Sequence, residues 1–271
     1  MNLGSSAGTP REMGRAGNNA LCNTLLFCSI LAYLTIGAQA QDENTIYERL
    51  FKDYDKNVRP AVNISSPVPV TFNLILRKIL EFDPEDQSIS FAAWLQMTWE
   101  DKRLVWFPRN FGGLSELEVR GEDVWIPDVE LYNTIGPTEA LTDFRVLLQS
   151  NGTVIYVPAS TFVASCPTNL TDEVHRCTLV FGSWVHSALK LDLQHKAYAP
   201  TLREYTPSHV WELKGVSVEE LIKMFDCCPQ PYKEVRYTLE LSRKNGSTSS
   251  AWMPRLDWKF LTLLLVLCFK I

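Results

Sequence analysis

From Ile89 to Trp99 apolar and polar residues alternate with period two. Ile89, Phe91, Ala93, Leu95, Met97 and Trp99 share one face; Ser90, Ala92, Trp94, Gln96 and Thr98 share the other. That period is the signature of a strand with one side in a core. Further strands are predicted over Val68–Leu80, Thr153–Val157, Cys177–Leu193 and Val235–Arg243. Asn151-Gly152, set between Val146-Leu-Leu-Gln and Thr153-Val-Ile-Tyr-Val, predicts a hairpin turn. One segment has a different period. Between Asn44 and Val58, Ile46, Leu50, Phe51 and Tyr54 recur at helical spacing, and Pro60 stops the helix. The expected fold is all-β, an antiparallel β-sandwich behind one N-terminal helix. Strand phase also separates two tryptophans. Trp99 belongs to the core, whereas Trp94 stands among small and polar residues. There it marks a contact surface or, on the plainer reading, a singly exposed aromatic.

The ends depart from this pattern. Arg11 and Arg15 precede an apolar run, Leu25 to Ile36, and Ala38-Gln-Ala40 offers a small-residue cleavage site. Residues 1–40 therefore predict a secretory signal peptide with Gln41 as the first mature residue, or a shorter leader initiating at Met13. At the other end, residues 251–271 comprise a short polar spacer and an apolar tail from Phe260, too short to cross a bilayer as a helix. Together with the small residues before it, the tail resembles a glycosylphosphatidylinositol-anchor signal, with Lys270 out of place. The alternative is an unrelated end, and neither reading supplies a pore domain. Residues 41–250 form one domain, with no repeat or linker dividing them.

The chain carries 26 Lys+Arg against 31 Asp+Glu, a net charge of −5. An acidic surface disfavours nucleic acid and mildly favours cationic ligands. Of seven cysteines, Cys166, Cys177, Cys227 and Cys228 fall in residues 41–250. An even number in a secreted chain implies two disulfides. Pairing 166–177 and 227–228 is the local solution, and counting leaves the other connectivities open. Asn63, Asn151, Asn169 and Asn245 each begin an Asn-X-Ser/Thr sequon, as suits a secreted glycoprotein.

Four blocks carry a resemblance: Trp94-Leu-Gln-Met-Thr-Trp99-Glu-Asp, Trp125-Ile-Pro-Asp-Val-Glu-Leu-Tyr132-Asn, Cys177-Thr-Leu-Val-Phe-Gly-Ser-Trp184, and Cys227-Cys228 through Tyr232 into Tyr237-Thr-Leu-Glu-Leu. In this order and spacing they resemble the extracellular ligand-binding domain of Cys-loop receptors, above all nicotinic acetylcholine receptor α subunits and the soluble acetylcholine-binding proteins. The resemblance implies an immunoglobulin-like sandwich and an aromatic cage for a quaternary or protonated amine, each favourable ring face contributing about 0.5–2 kcal/mol. By motif, the principal face is Tyr132, Trp184, Phe225 and Tyr232, closed by a vicinal disulfide of Cys227 and Cys228. Asp128 braces the Trp184 loop without touching ligand. The complementary face comes from a neighbouring subunit: Trp94, with Leu147, Ile155 and Val157 as apolar walls. A site divided in this way requires a ring with heterologous contacts, here a homopentamer by resemblance.

Departures from the family pattern shape the functional expectation. Phe225 stands where acetylcholine-binding members usually have tyrosine, removing a hydroxyl. His186 follows Trp184 where many members have an aromatic; it is read as a surface histidine, with pH dependence as the alternative. Residues 167–176, between Cys166 and Cys177, are polar and carry the Asn169 sequon, where channel subunits have a longer loop with an apolar Phe-Pro-Phe element. The expectation is a secreted or lipid-anchored binding protein for a small cation. Alternatives are a truncated channel subunit and a scaffold that has lost ligand binding. No cofactor or metal is implied, since His175, His186, His195 and His209 lack metal-ligand spacing. Catalysis is not expected either: phosphate-cradling and nucleophile-elbow motifs are missing, and Glu219-Glu220 reads as a solvated surface.

Overall fold

A computed structural model describes residues 43–140, 144–195 and 202–244. The expected signal peptide, the C-terminal tail and the Asn245 sequon lie outside them. Helix α1 spans residues 43–51 and buries Ile46 and Leu50. It is shorter than the spacing predicts, because Tyr54 leaves the helix for tertiary bonds. Its hydroxyl donates to Asp101 Oδ2 at 2.9 Å and accepts from the Trp125 amide at 3.0 Å.

Twelve strands follow in the described residues: β1 (Val68–Asp83), β2 (Ser88–Glu100), β3 (Glu116–Arg120), β4 (Val129–Leu131), β5 (Glu139–Ala140), β6 (Arg145–Gln149), β7 (Thr153–Tyr156), β8 (Ala159–Ser165), β9 (His175–Ser183), β10 (Leu191–His195), β11 (Trp211–Lys223) and β12 (Tyr232–Arg243). The larger sheet runs β10-β1-β2-β7-β6-β3, with β8 also on β2 and β5 on β8; the smaller runs β11-β12-β9-β4. Together they form the expected sandwich, with one parallel pair, β1 with β10. The core lies between the sheets. Phe72 packs against Phe181 with ring centroids 5.1 Å apart, and Phe181 stands edge-on to Tyr237.

The phase of β2 is as predicted: the Ile89–Trp99 set is buried, and Trp94 looks outward, half-buried. The β6–β7 hairpin turns at Asn151-Gly152. Gly152 has φ +89°, and an added Cβ would lie 2.7 Å from the Asp101 carbonyl oxygen, so only glycine fits. The segment expected as one strand over Cys177–Leu193 is two strands in different sheets. After Ser183 the Asp128 carboxylate accepts from the Val185 amide, the Pro231 carbonyl accepts from the Ala188 amide, and the chain crosses over to become β10. Trp184 sits at the start of that crossing. Disulfides join Cys166 to Cys177 and Cys227 to Cys228.

Candidate functional site

The smaller sheet brings four aromatic rings together at one end. β9 stops at Ser183, β11 stops at Lys223, and β12 begins at Tyr232 opposite Lys223. Tyr132, just past β4, lies edge-on to Trp184 and to Phe225, each with centroids 6.1 Å apart; Phe225 and Tyr232 are 5.6 Å apart. These contacts are edge-to-face, which aromatic quadrupoles favour. Tyr132 is fixed from below. Its hydroxyl donates to the Ser183 carbonyl, and its ring covers Gly182, where a Cβ would come within 2.5 Å of ring atoms. Burial pushes the hydroxyl above the ordinary phenol range, with smaller contributions from Glu234, Asp128 and Tyr232, so it stays a neutral donor. Trp184 is 69% exposed and leaves the cluster open on one side.

The loop behind Trp184 is organised by Asp128. One carboxylate oxygen accepts from Ser183 Oγ at 2.7 Å and meets His186 Nδ1 at 2.8 Å; the other accepts from the Val185 amide at 2.6 Å. The Trp184 amide donates to the Asp128 carbonyl. His186 is thus not a plain surface residue: it pairs with Asp128 and stands edge-on to Trp125 at 6.3 Å. The Cys227–Cys228 loop is tied to the Trp184 loop by Ser187 Oγ donating to Gln230 at 2.6 Å and by the Ala188–Pro231 backbone bond.

Trp94, Leu147, Ile155 and Val157 lie elsewhere, all half-buried. Trp94 stands opposite Ile75 of β1, and Leu147 of β6 faces Ile155 of β7 across the outer side of the larger sheet. Val157 follows directly after β7. Among the described residues no ring contact joins Trp94 to the Tyr132–Trp184–Phe225–Tyr232 cluster.

Sequence reasoning did not select five residues that touch these groups. Gly182 and Ser183 support Tyr132. Glu234, 1% exposed, binds Arg236 at 2.8 Å below the cluster. Lys223 lies over Phe225, and Arg77 lies over Trp94. Gly182 and Ser183 lie within the Cys177–Trp184 block. The others are set by strand pairing that no local pattern announces. The sequons at Asn63, Asn151 and Asn169 are exposed.

The neurotransmitter-gated ion-channel ligand binding domain family matches residues 43–245. Among curated relatives, the acetylcholine receptor subunit alpha-type acr-16 of Caenorhabditis elegans is 34% identical over 230 residues, 83% of this chain and 46% of its own length. The human neuronal acetylcholine receptor subunit alpha-3 is 30% identical over 246 residues, 89% of this chain and 48% of its own length. The acetylcholine receptor subunit alpha-like 2 of Drosophila melanogaster is 30% identical, covering 82% of this chain and 41% of its own length. The chain spans about half the length of the relatives it matches.

Proposed function

The chain belongs to the neurotransmitter-gated ion-channel ligand binding domain family, and from that premise we propose that it binds a small quaternary or protonated amine in an aromatic cage. The observation that carries this reading is the convergence of Tyr132, Trp184, Phe225 and Tyr232, the last two flanking the Cys227–Cys228 disulfide. Ring faces around a space open to solvent on one side attract a weakly hydrated cation through their quadrupoles. The complementary wall is Trp94, Leu147, Ile155 and Val157 of an adjacent copy, so the working unit is a ring, a homopentamer by family resemblance. The protein acts as an acetylcholine-binding-protein-like receptor of ligand, secreted or held at the outer cell surface. The Cys166–Cys177 loop supports this over a channel role. Its residues 167–176 are polar, and Asn169 at its exposed tip would carry any glycan where a channel subunit packs apolar residues.

The test is a tryptophan-fluorescence titration of the assembled protein with acetylcholine, nicotine, serotonin and choline. Saturable quenching is expected, with affinity abolished in Trp184→Ala. Undiminished affinity in that variant would remove the cage assignment. Silence from a correctly assembled ring would favour a scaffold role.

A further inference from the structure

Both aromatic surfaces of the site just proposed already carry a cation of the same chain. Lys223, the last residue of β11, holds its Nζ 4.8 Å from the Phe225 centroid and 3.9 Å from an oxygen of the buried Glu234. On the larger sheet, the Arg77 guanidinium lies 4.2 Å from the Trp94 centroid. Arg77 Nη1 also donates to Glu204 at 2.9 Å, and the Arg77 carbonyl accepts from the Thr206 amide at 2.8 Å. The segment bearing Glu204 is thereby pinned to β1 beside Trp94.

A ring attracts a cation through the negative potential of its face, and a face covered by one cation is closed to a second. A cation elsewhere in the cage also feels the tethered charge as repulsion, stronger where water is excluded. Each tethered cation has a carboxylate beside it: Glu234 near Lys223, and Glu204 bonded to Arg77.

We propose that Lys223 and Arg77 are specificity-determining residues, built-in competitors that occupy the cage rings and weaken binding of simple monovalent ammonium ions. This rests on the aromatic-cage reading. A ligand with one positive charge and nothing more has to displace or tolerate both. A ligand that contributes further contacts loses proportionately less. The site therefore discriminates against the smallest quaternary ammonium ions more sharply than its five aromatic rings alone would.

The experiment is calorimetric titration of the full assembled protein with tetramethylammonium chloride, ionic strength held constant with sodium chloride. Lys223→Gln and Arg77→Gln should each tighten binding about two- to fivefold, the effect of releasing one exposed cation–π contact. Lys223→Arg and Arg77→Lys, which keep the charge, should stay near the wild-type affinity. Lys52→Gln removes an exposed cation beyond α1 and should change nothing. Wild-type affinity in both glutamine variants, with Trp184→Ala still abolishing binding, would overturn the competition and leave the cage standing. Equal tightening by Lys52→Gln would overturn it too, reducing the effect to net charge. No binding in any of these proteins would refute the cage, and the competition with it. Lys223 is exposed at a strand end, so its variants test the idea even if Arg77→Gln disturbs the fold.

Discussion

At position 225 a phenyl ring stands without the hydroxyl that family resemblance leads one to expect. Phe225 still makes two edge contacts, with Tyr132 and Tyr232, so the ring's packing role survives the loss. What is missing is the polar group that would face a ligand in the proposed cage. Phe225→Tyr is therefore expected to strengthen acetylcholine binding by up to about tenfold, the worth of one net hydrogen bond. Calorimetry would check it, and an unchanged affinity would show that no ligand atom reaches that position. The clustering of Tyr132, Trp184, Phe225 and Tyr232 and the pairing of Cys227 with Cys228 were foreseen through the family resemblance of the blocks that carry them. Lys223 was not, although it is two residues from Phe225. Its meaning depends on where β11 ends against Tyr232, a fact of long-range pairing. Arg77 escaped for the same reason. The alternation in β2 puts Trp94 outward, but only the diagonal between β1 and β2 brings a guanidinium over it.

The most legible strands were long ones with one buried face, whereas the shorter β8 was not predicted although it alternates just as cleanly. β2 alternates without a fault, and β1 does so up to its bulges at Leu76/Lys78 and Ile79/Glu81. β11 was missed: it pairs only with β12 at the sheet edge, and its residues are all at least partly exposed. Only part of it packs on the core, through Trp211, Leu213, Val216 and Val218, and a bulge between Leu213 and Gly215 breaks the alternation of those residues. The break between β9 and β10 was hidden because both halves carry buried apolar residues at alternate positions and the crossing is held by long-range bonds, among them those to Asp128, Gln230 and Pro231. The sandwich itself is clasped by a tyrosine. Where β10 ends alongside β1, the Leu74 amide finds its partner in the hydroxyl of Tyr237 from the opposite sheet, which also meets His195 Nδ1 at 3.1 Å. Tyr237→Phe leaves that buried N–H without a partner and should destabilise the fold by about 1–3 kcal/mol. The urea midpoint should fall at unchanged slope; an unmoved midpoint would mean that another acceptor serves Leu74. His175, at the start of β9, gives the fold a pH dependence. It is packed between Phe82 and Trp211, and burial holds its imidazole pKa below the ordinary value, Asp172 opposing in part. The unfolded chain then binds the proton more readily than the folded one. The stabilisation is complete above about pH 6.5 and is lost as pH falls below it. In His175→Gln the decline of the unfolding midpoint between about pH 6.5 and 5 should be shallower; an identical decline would assign acid sensitivity to other groups.

At the scale of the whole molecule the decisive matter is that the two proposed faces belong to different sheets. The cage rings cluster where β9 and β11 end and β12 begins in the smaller sheet, and Trp94 looks out from the larger one, covered by Arg77 rather than by any cage ring. If ligand needs both, neither Trp184→Ala nor Trp94→Ala subunits alone should bind it, since each homo-oligomer damages every site. Co-assembly behaves differently. An interface whose cage comes from a Trp94→Ala subunit and whose opposing wall comes from a Trp184→Ala subunit has both tryptophans intact. In an equal, random mixture half the subunits offer each good surface, so about one interface in four should regain binding. Native mass of the mixed rings and ligand stoichiometry at saturation would be measured together. Recovery near that fraction would establish that the site is shared between neighbours. Binding by the Trp94→Ala protein alone would place the whole site within one chain. Failure of the mixture, with mixed rings demonstrated by mass, would show that Trp94 and Trp184 do not meet across the interface, whatever each does separately.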